Sequence, residues 1–226
     1  MRKDKASPDT IGSQPKKGKV WEYVEAFVIA LLVALIVRSL LVQAFKIPSS
    51  SMENTLLVGD HIFVNKLVYG YHIPFMKGRV LELSKPKHGD IIVFVFPEDA
   101  SKDFIKRVVG VPGDVIEVKQ KGIIRNGEAL TEDYAQYIDE AGPEAYDHTW
   151  KDLPPLKVPP GKYFVLGDNR DRSYDSRFWG FVDTEAVIGK AMFIYFSIDW
   201  SRDVRFMEVW RWPELVRWGR IGDILK

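Results

Sequence analysis

The chain has 226 residues, 46% of them hydrophobic, enough for one domain with a sizeable core plus an appended segment. Its 32 basic and 31 acidic residues leave a formal charge of +1, so a nucleic acid gains nothing from the total, and no basic stripe interleaved with aromatics appears outside the carboxy terminus. Cysteine is absent and the four histidines, His61, His72, His88 and His148, have no ligand spacing, which excludes disulfides and makes neither a metal nor another cofactor expected.

Residues 1–20 hold six Lys or Arg and two Asp among Pro, Gly and Ser, a composition that predicts a disordered, solvated tail. From about residue 21 to residue 45 the chain turns apolar. The 22 residues from Val24 to Phe45 would reach roughly 33 Å as a helix, against a hydrocarbon core of about 30 Å, so a single transmembrane anchor is predicted over 21–45. Glu25 and Arg38 interrupt it, leaving an uncharged run only from Ala26 to Val37. A buried amphipathic helix and a cleaved secretory signal ending at Val42-Gln43-Ala44 are the competing readings. With a retained anchor, the basic lead keeps the tail cytoplasmic and places residues 46–226 outside.

Directly after this segment comes Phe45-Lys-Ile-Pro-Ser-Ser-Ser-Met-Glu-Asn-Thr-Leu-Leu-Val-Gly-Asp60. Ser50 and Glu53 match a capping box and Pro48 keeps the approach extended, so one reading is a short capped turn running to Leu57. That reading is compatible with chemistry at Ser51. In the first residues of such a turn, backbone N–H groups lack intrahelical partners and the dipole end is positive, so a hydroxyl there sits beside an oxyanion site.

A nucleophilic serine needs a base. No histidine stands in a triad setting and no Gly-x-Ser-x-Gly elbow occurs. The alternative is a neutral lysine, and Lys106 is the candidate. Read as a strand, residues 104–108 put Lys106 on one face with Phe104 and Val108 and turn Arg107 to the other with Ile105 and Val109. General-base work near neutral pH requires lowering the lysine from its ordinary value near 10.4 by about 4 kcal/mol, which burial can supply. A lysine snorkelling from the sheet rim is the other reading.

Short Val-, Ile- and Phe-rich segments follow at 60–68, 89–96, 104–111, 115–119 and 123–125, separated by turn signals at Gly70, Pro86 to Gly89, Pro112-Gly113, Lys121-Gly122 and Asn126-Gly127. That rhythm predicts antiparallel β structure. Residues 128–160 are acidic, weakly periodic and proline-containing, as in an inserted loop or subdomain spanning about 120–160. Tyr163 to Leu166 reads as a strand entering the turn Gly167-Asp-Asn-Arg-Asp, and Ala186 to Ile198 as the last strand. Four of the seven tryptophans (Trp200, Trp210, Trp212, Trp218) fall among arginines at the carboxy end, suiting either a membrane surface or ordinary packing on the sheet.

Four blocks in this order, Pro48-Ser-Ser-Ser-Met52 with Leu56 and Gly59-Asp60, Gly89 to Phe94, Lys106 to Asp114, and Gly167-Asp-Asn-Arg-Asp-Arg-Ser-Tyr-Asp-Ser-Arg-Phe-Trp-Gly180, resemble the type I bacterial signal peptidases. The resemblance covers roughly residues 20 to 200. It implies a mostly β fold, an antiparallel β-barrel-like catalytic domain with one amino-terminal transmembrane helix in the bacterial inner membrane. It also implies a serine endopeptidase that cuts signal peptides from exported preproteins after Ala-x-Ala. By the same resemblance Ser51 is the nucleophile, Lys106 the general base, Ser49 an oxyanion donor beside the Ser51 amide, and Ser173 the residue that orients the lysine. Arg107, Asp175 and Arg177 support the site, and Ile47, Pro48, Met52, Leu56, Phe104 and Ile105 line the substrate pocket. Ser50, Glu53 and Asn54 depart from the family pattern, which often has glycine and Met-Pro there. The partners so implied are signal peptides and the lipid bilayer, with no nucleic acid and no metal.

Two other functions share parts of this sequence. A self-cleaving Ser-Lys regulator of the repressor type would need a DNA-binding domain where an apolar segment stands, and a non-catalytic membrane-tethered β module would bind exported chains without cutting them.

Overall fold

The computed structural model describes residues 19–72, 79–80, 82–119, 121–137, 152–201 and 211–226. The tail up to residue 18, the middle of the expected insertion (138–151) and Trp210 lie outside the described residues.

Two compact units divide at residues 37 and 38. The described part of the first is helix α1, Lys19–Leu40, whose end passes into the second unit. Its exposed side chains are apolar from Phe27 to Leu35, but Lys19, Glu22 and Glu25 charge its first turns. No helix among the described residues is long and apolar enough to cross a membrane. The helix ends at Leu40 and not at residue 45, because residues 42–46 form a strand.

That strand, β1 (Val42–Lys46), pairs antiparallel with β2 (Asp60–Asn65) in the register Val42↔Asn65 to Lys46↔His61. The hairpin closes through Ile47 N–H to Asp60 O at 2.8 Å and Gly59 N–H to Ile47 O at 3.0 Å. Residues 48–58, with all three serines, are therefore its connecting loop. Gly59 has φ +93°, and a Cβ there would lie 2.0 Å from Ile198 O, so only glycine fits the loop's foot. The buried Asp60 carboxylate takes hydrogen bonds from Leu57 N–H, Ser197 Oγ and Arg220, tying that foot to the last strand and the carboxy-terminal turn.

The remaining strands are β3 (Tyr71–His72), β4 (Arg79–Val80), β5 (Ile91–Val95), β6 (Asp103–Gly110), β7 (Val115–Lys119), β8 (Gly122–Arg125), β9 (Glu128–Ala129), β10 (Leu153–Lys157), β11 (Lys162–Leu166), β12 (Val182–Asp183) and β13 (Val187–Ser197). The main sheet has the order β1-β2-β13-β5-β6-β11-β12, with each neighbouring pair antiparallel. Its first and last strands do not pair, so the sheet is open, and the expected barrel-like closure is corrected accordingly. A second sheet, β10-β7-β8-β9, takes up both ends of the expected insertion. Strand β10 is an edge strand carrying Pro154 and Pro155, where missing N–H donors do least harm, and its register slips between Leu153 and Leu156.

Strand β5 reads as an unbroken apolar run because both its faces are buried. Ile91 and Val93 pack with Ile47, Met52, Leu56, Ile62 and Ile194 on one side, and Ile92 and Phe94 pack with Val108, Tyr163 and Val165 on the other. A third cluster, around Val109, Ile116, Val118, Ile123, Phe164 and Leu166, joins the two sheets.

Candidate active site

The hairpin loop and β6 bring Ser51 and Lys106 together. Both are almost wholly buried, 7% and 4% exposed, and Lys106 Nζ lies 2.8 Å from Ser51 Oγ. The amine also donates to its neighbour's carbonyl, Ile105 O, at 3.0 Å, and sits 5.3 Å from the centre of the Phe104 ring. Phe104 stacks on Phe96 at 4.2 Å between ring centres, so an aromatic wall stands beside the amine. Burial pulls Lys106 from its ordinary 10.5 down to about 8. The Asp175 and Asp168 carboxylates oppose this shift, and Arg177 adds to it. The alternation expected along β6 agrees with the packing, Phe104 and Val108 sharing one cluster while Val109 belongs to another.

The loop around Ser51 is a tight turn rather than a capped helix. Glu53 N–H donates to Ser50 O and Leu56 N–H to Met52 O, and then Asn54, at φ +88°, takes a left-handed conformation that stops any helix. Glu53 does not reach back to Ser50 as a capping box would; its carboxylate accepts from Asn169 Nδ2 at 3.4 Å.

The 167–177 segment fixes this turn. Asn169 N–H donates to Ser51 O at 3.1 Å. Gly167 packs so closely that a Cβ would lie 2.3 Å from both Ser51 O and Ser173 Oγ. Ser173 is buried beside the site, but its hydroxyl has no hydrogen-bond partner among the described residues. The expected bond from Ser173 to the lysine is thus not made, and Ile105 O fills that place. Asp175 and Arg177 form a buried bidentate pair at 2.8 and 2.9 Å, and Asp175 also accepts from Gly167 N–H. Arg107 does not join them. It makes its own bidentate pair with Asp168, at 2.8 and 2.7 Å, and Asp168 accepts from Thr55 Oγ1 as well. One carboxylate thereby links the serine turn to the strand that carries the lysine.

A further set of groups lies behind this link. Tyr134 covers the Arg107 guanidinium at 3.9 Å, Asn54 Nδ2 donates to Tyr134 O, and Glu132 pairs with the buried Arg170 at 2.8 Å. Gln136 bridges Asn169 in parallel fashion. Sequence reasoning gave Asp168, Thr55, Glu132 and Arg170 no role. The one available signal was the density of charge in a block otherwise packed with small residues.

A cleft of about 850 Å3 opens over the pair. Of the six expected pocket residues, Pro48, Phe104 and Ile105 line it. Ile47, Met52 and Leu56 do not, because they are buried in the core beneath the turn. Ser49, which is exposed, lines the cleft, and so do Ser50, whose side chain was expected at its floor, and Glu53, Val58, Asp103, Arg172 and Tyr174, which were not expected there. Strand β6 pairs with β5 from Asp103 to Arg107, but β11 joins its other edge only from Arg107 onward. Residues 103–106 consequently present an open strand edge to the cleft.

A dried amine within hydrogen-bond reach of a hydroxyl, at the base of an open cleft, can deprotonate that hydroxyl for attack on a carbonyl. Residues 20–196 match the family described as Signal peptidase, peptidase S26. The chain is 38% identical over 207 residues to a Signal peptidase I of Pseudomonas fluorescens, covering 78% of this chain and 72% of that one. It is 37% identical over 239 residues to a Signal peptidase I of Rickettsia typhi, covering 87% and 90%. A crystal structure of a signal peptidase I from Enterococcus faecalis V583 is 37% identical, covers 47% of this chain and 97% of that one, and gives a TM-score of 0.40.

Proposed function

The chain belongs to the signal peptidase family, peptidase S26, and from that premise we propose that it is a serine endopeptidase cutting signal peptides from exported preproteins, with Ser51 as nucleophile and Lys106 as general base. The observation that carries this reading is the 2.8 Å approach of a buried amine, which burial makes easier to deprotonate, to a buried hydroxyl.

In this mechanism neutral Lys106 takes the Ser51 proton as Oγ adds to the scissile carbonyl, and the Ser51 amide and Ser49 hydroxyl hold the oxyanion. The protonated amine then gives its proton to the departing amino group, the peptide bond breaks, and the leader remains as an ester on Ser51. Water, deprotonated by the same lysine, hydrolyses that ester. The leader lies extended along the open edge of β6, where main-chain hydrogen bonds supply affinity. Pro48, Phe104 and Ile105 shape shallow apolar pockets that admit Ala-x-Ala, with Ile47, Met52 and Leu56 as the packed floor that keeps them shallow.

Membrane association belongs to the same reading. The apolar surface of α1 meets the bilayer with the basic lead on the cytoplasmic side, so that the domain from residue 46 works on the outer face of the bacterial inner membrane, where signal peptides are held.

The test is incubation of the full chain in detergent with a preprotein, followed by amino-terminal sequencing of the product. A new terminus after a small residue is expected, and Ser51→Ala should be folded yet inactive. Retention of the preprotein without cutting would make the chain a binding module instead.

A further inference from the structure

The other described arginine side chains of the catalytic unit are engaged with protein groups. Arg107, Arg170, Arg177 and Arg220 pair with Asp168, Glu132, Asp175 and Asp60. Arg79 and Arg125 reach backbone carbonyls, and Arg211 and Arg217 hold Glu214 and Asp199. Arg172 is the exception: its guanidinium makes no ion pair or hydrogen bond with any described residue, and it lines the cleft.

Its place along the cleft is set by its neighbours. Tyr174, on the far side of Ser173, donates to Glu98 at 3.0 Å and meets Phe96 edge-on, which sets it toward the end where β6 begins. Arg172, on the near side of Ser173, is tied through its amide to Asn169 O, and the Asn169 side chain in turn holds Glu53, two residues past Ser51. The cleft's other charge without a partner among the described residues, the Asp103 carboxylate, begins the open edge of β6 and so belongs to the opposite end. If leader residues lie on that open edge, the end formed by Glu53 and Arg172 receives the substrate residues beyond the cut.

We propose that Arg172 is a specificity-determining residue that favours substrates with an acidic side chain among the first three positions after the scissile bond. Asn169 keeps the Glu53 carboxylate turned to itself, so the guanidinium finds its counter-ion in the substrate. An ion pair in a partly shielded cleft is worth about a fivefold preference. This inference rests on the peptidase reading above.

The experiment compares kcat/KM of the full chain in detergent for Ala-x-Ala peptides that differ only in Glu, Gln or Lys at one of the first three positions after the cut. The unsubstituted enzyme should prefer Glu to Gln about fivefold at one of them, with the preference shrinking as salt is added. The Glu-to-Gln ratio should fall to about one in Arg172→Ala and invert in Arg172→Glu. Each enzyme's own Gln peptide is the denominator, so a general loss of rate leaves the comparison intact. A ratio near one at all three positions in the unsubstituted enzyme, or one that Arg172→Ala leaves unchanged, overturns the inference while the peptidase reading stands. Failure of the unsubstituted enzyme to cut any of the peptides refutes the peptidase reading, and this one with it.

Discussion

Lys106→Met removes the amine and keeps an unbranched chain of similar length, so it separates what the lysine does for catalysis from what it costs the fold. Lowering the amine from 10.5 to about 8 means that holding it protonated in its buried site costs about 3 kcal/mol. The variant also loses the bonds to Ser51 Oγ and Ile105 O, each worth about 1 kcal/mol, which leaves a net gain of about 1 kcal/mol near neutral pH. The pH dependence has a definite sign. Below about pH 8 the folded and unfolded parent both carry the proton, so the full cost is present. Between about 8 and 10.5 the unfolded chain binds a proton that the folded chain has released, so the parent's stability rises with pH and the advantage of methionine shrinks. Above that window the advantage is gone and the lost hydrogen bonds leave the variant weaker. Unfolding of both proteins in urea at about pH 7 and about pH 10 measures the difference, and a peptide assay should find the variant inactive. A variant less stable than the parent at neutral pH, or a difference that does not change with pH, would mean that the amine is not desolvated.

The same value predicts an acid limb in kcat/KM with an apparent pKa near 8, since only about a tenth of the enzyme holds a neutral amine at about pH 7; a limb near 6 would point to a histidine base instead. Gly167→Ala should lower kcat about 100-fold or more with a smaller effect on KM, because its methyl group would lie 2.3 Å from Ser51 O and push on the turn that carries the nucleophile; a variant with normal kcat would show that the turn tolerates displacement. Asp168→Asn leaves the buried Arg107 without its counter-charge and should cost about 3–5 kcal/mol, read as a fall in the urea midpoint; a loss below about 1 kcal/mol would mean that the pair contributes little to holding the turn against β6.

Local pattern carried the β strands and the face on which Lys106 lies, because period-two alternation and turn residues are written into adjacent positions. It failed where the deciding contact is distant. Val42 to Phe45 are as apolar as the helix before them, and they become a strand because Asp60 to Asn65 return alongside and close the hairpin. Leu153 to Lys157 were hidden by two prolines that only an edge position tolerates. Ile47, Met52 and Leu56 were expected in the pocket from the family resemblance, yet the turn folds them inward onto β2 and β13. Asp168 sits in plain view in the Gly167 block, but nothing local says that its partners are Thr55 and Arg107. The strands at the two ends of the main sheet pair with no further strand among the described residues on their outer edges, and strand rhythm alone cannot tell such a sheet from a closed one.

The arrangement of charge around the pair meets the needs of a neutral lysine. Two carboxylates near the amine, Asp175 and Asp168, would each favour the protonated form, and left alone they would work against a base that must be uncharged. Each is instead committed to a guanidinium through a bidentate pair, Asp175 to Arg177 and Asp168 to Arg107, with Tyr134 covering the second of these. Such pairs cancel at a distance while keeping their geometry, so they can hold Gly167, Thr55 and β6 in register without imposing a net negative field on the amine. Desolvation then remains the largest influence on Lys106. Ionic groups fix where the hydroxyl and the amine stand, and the aromatic and aliphatic groups around them decide whether the proton stays.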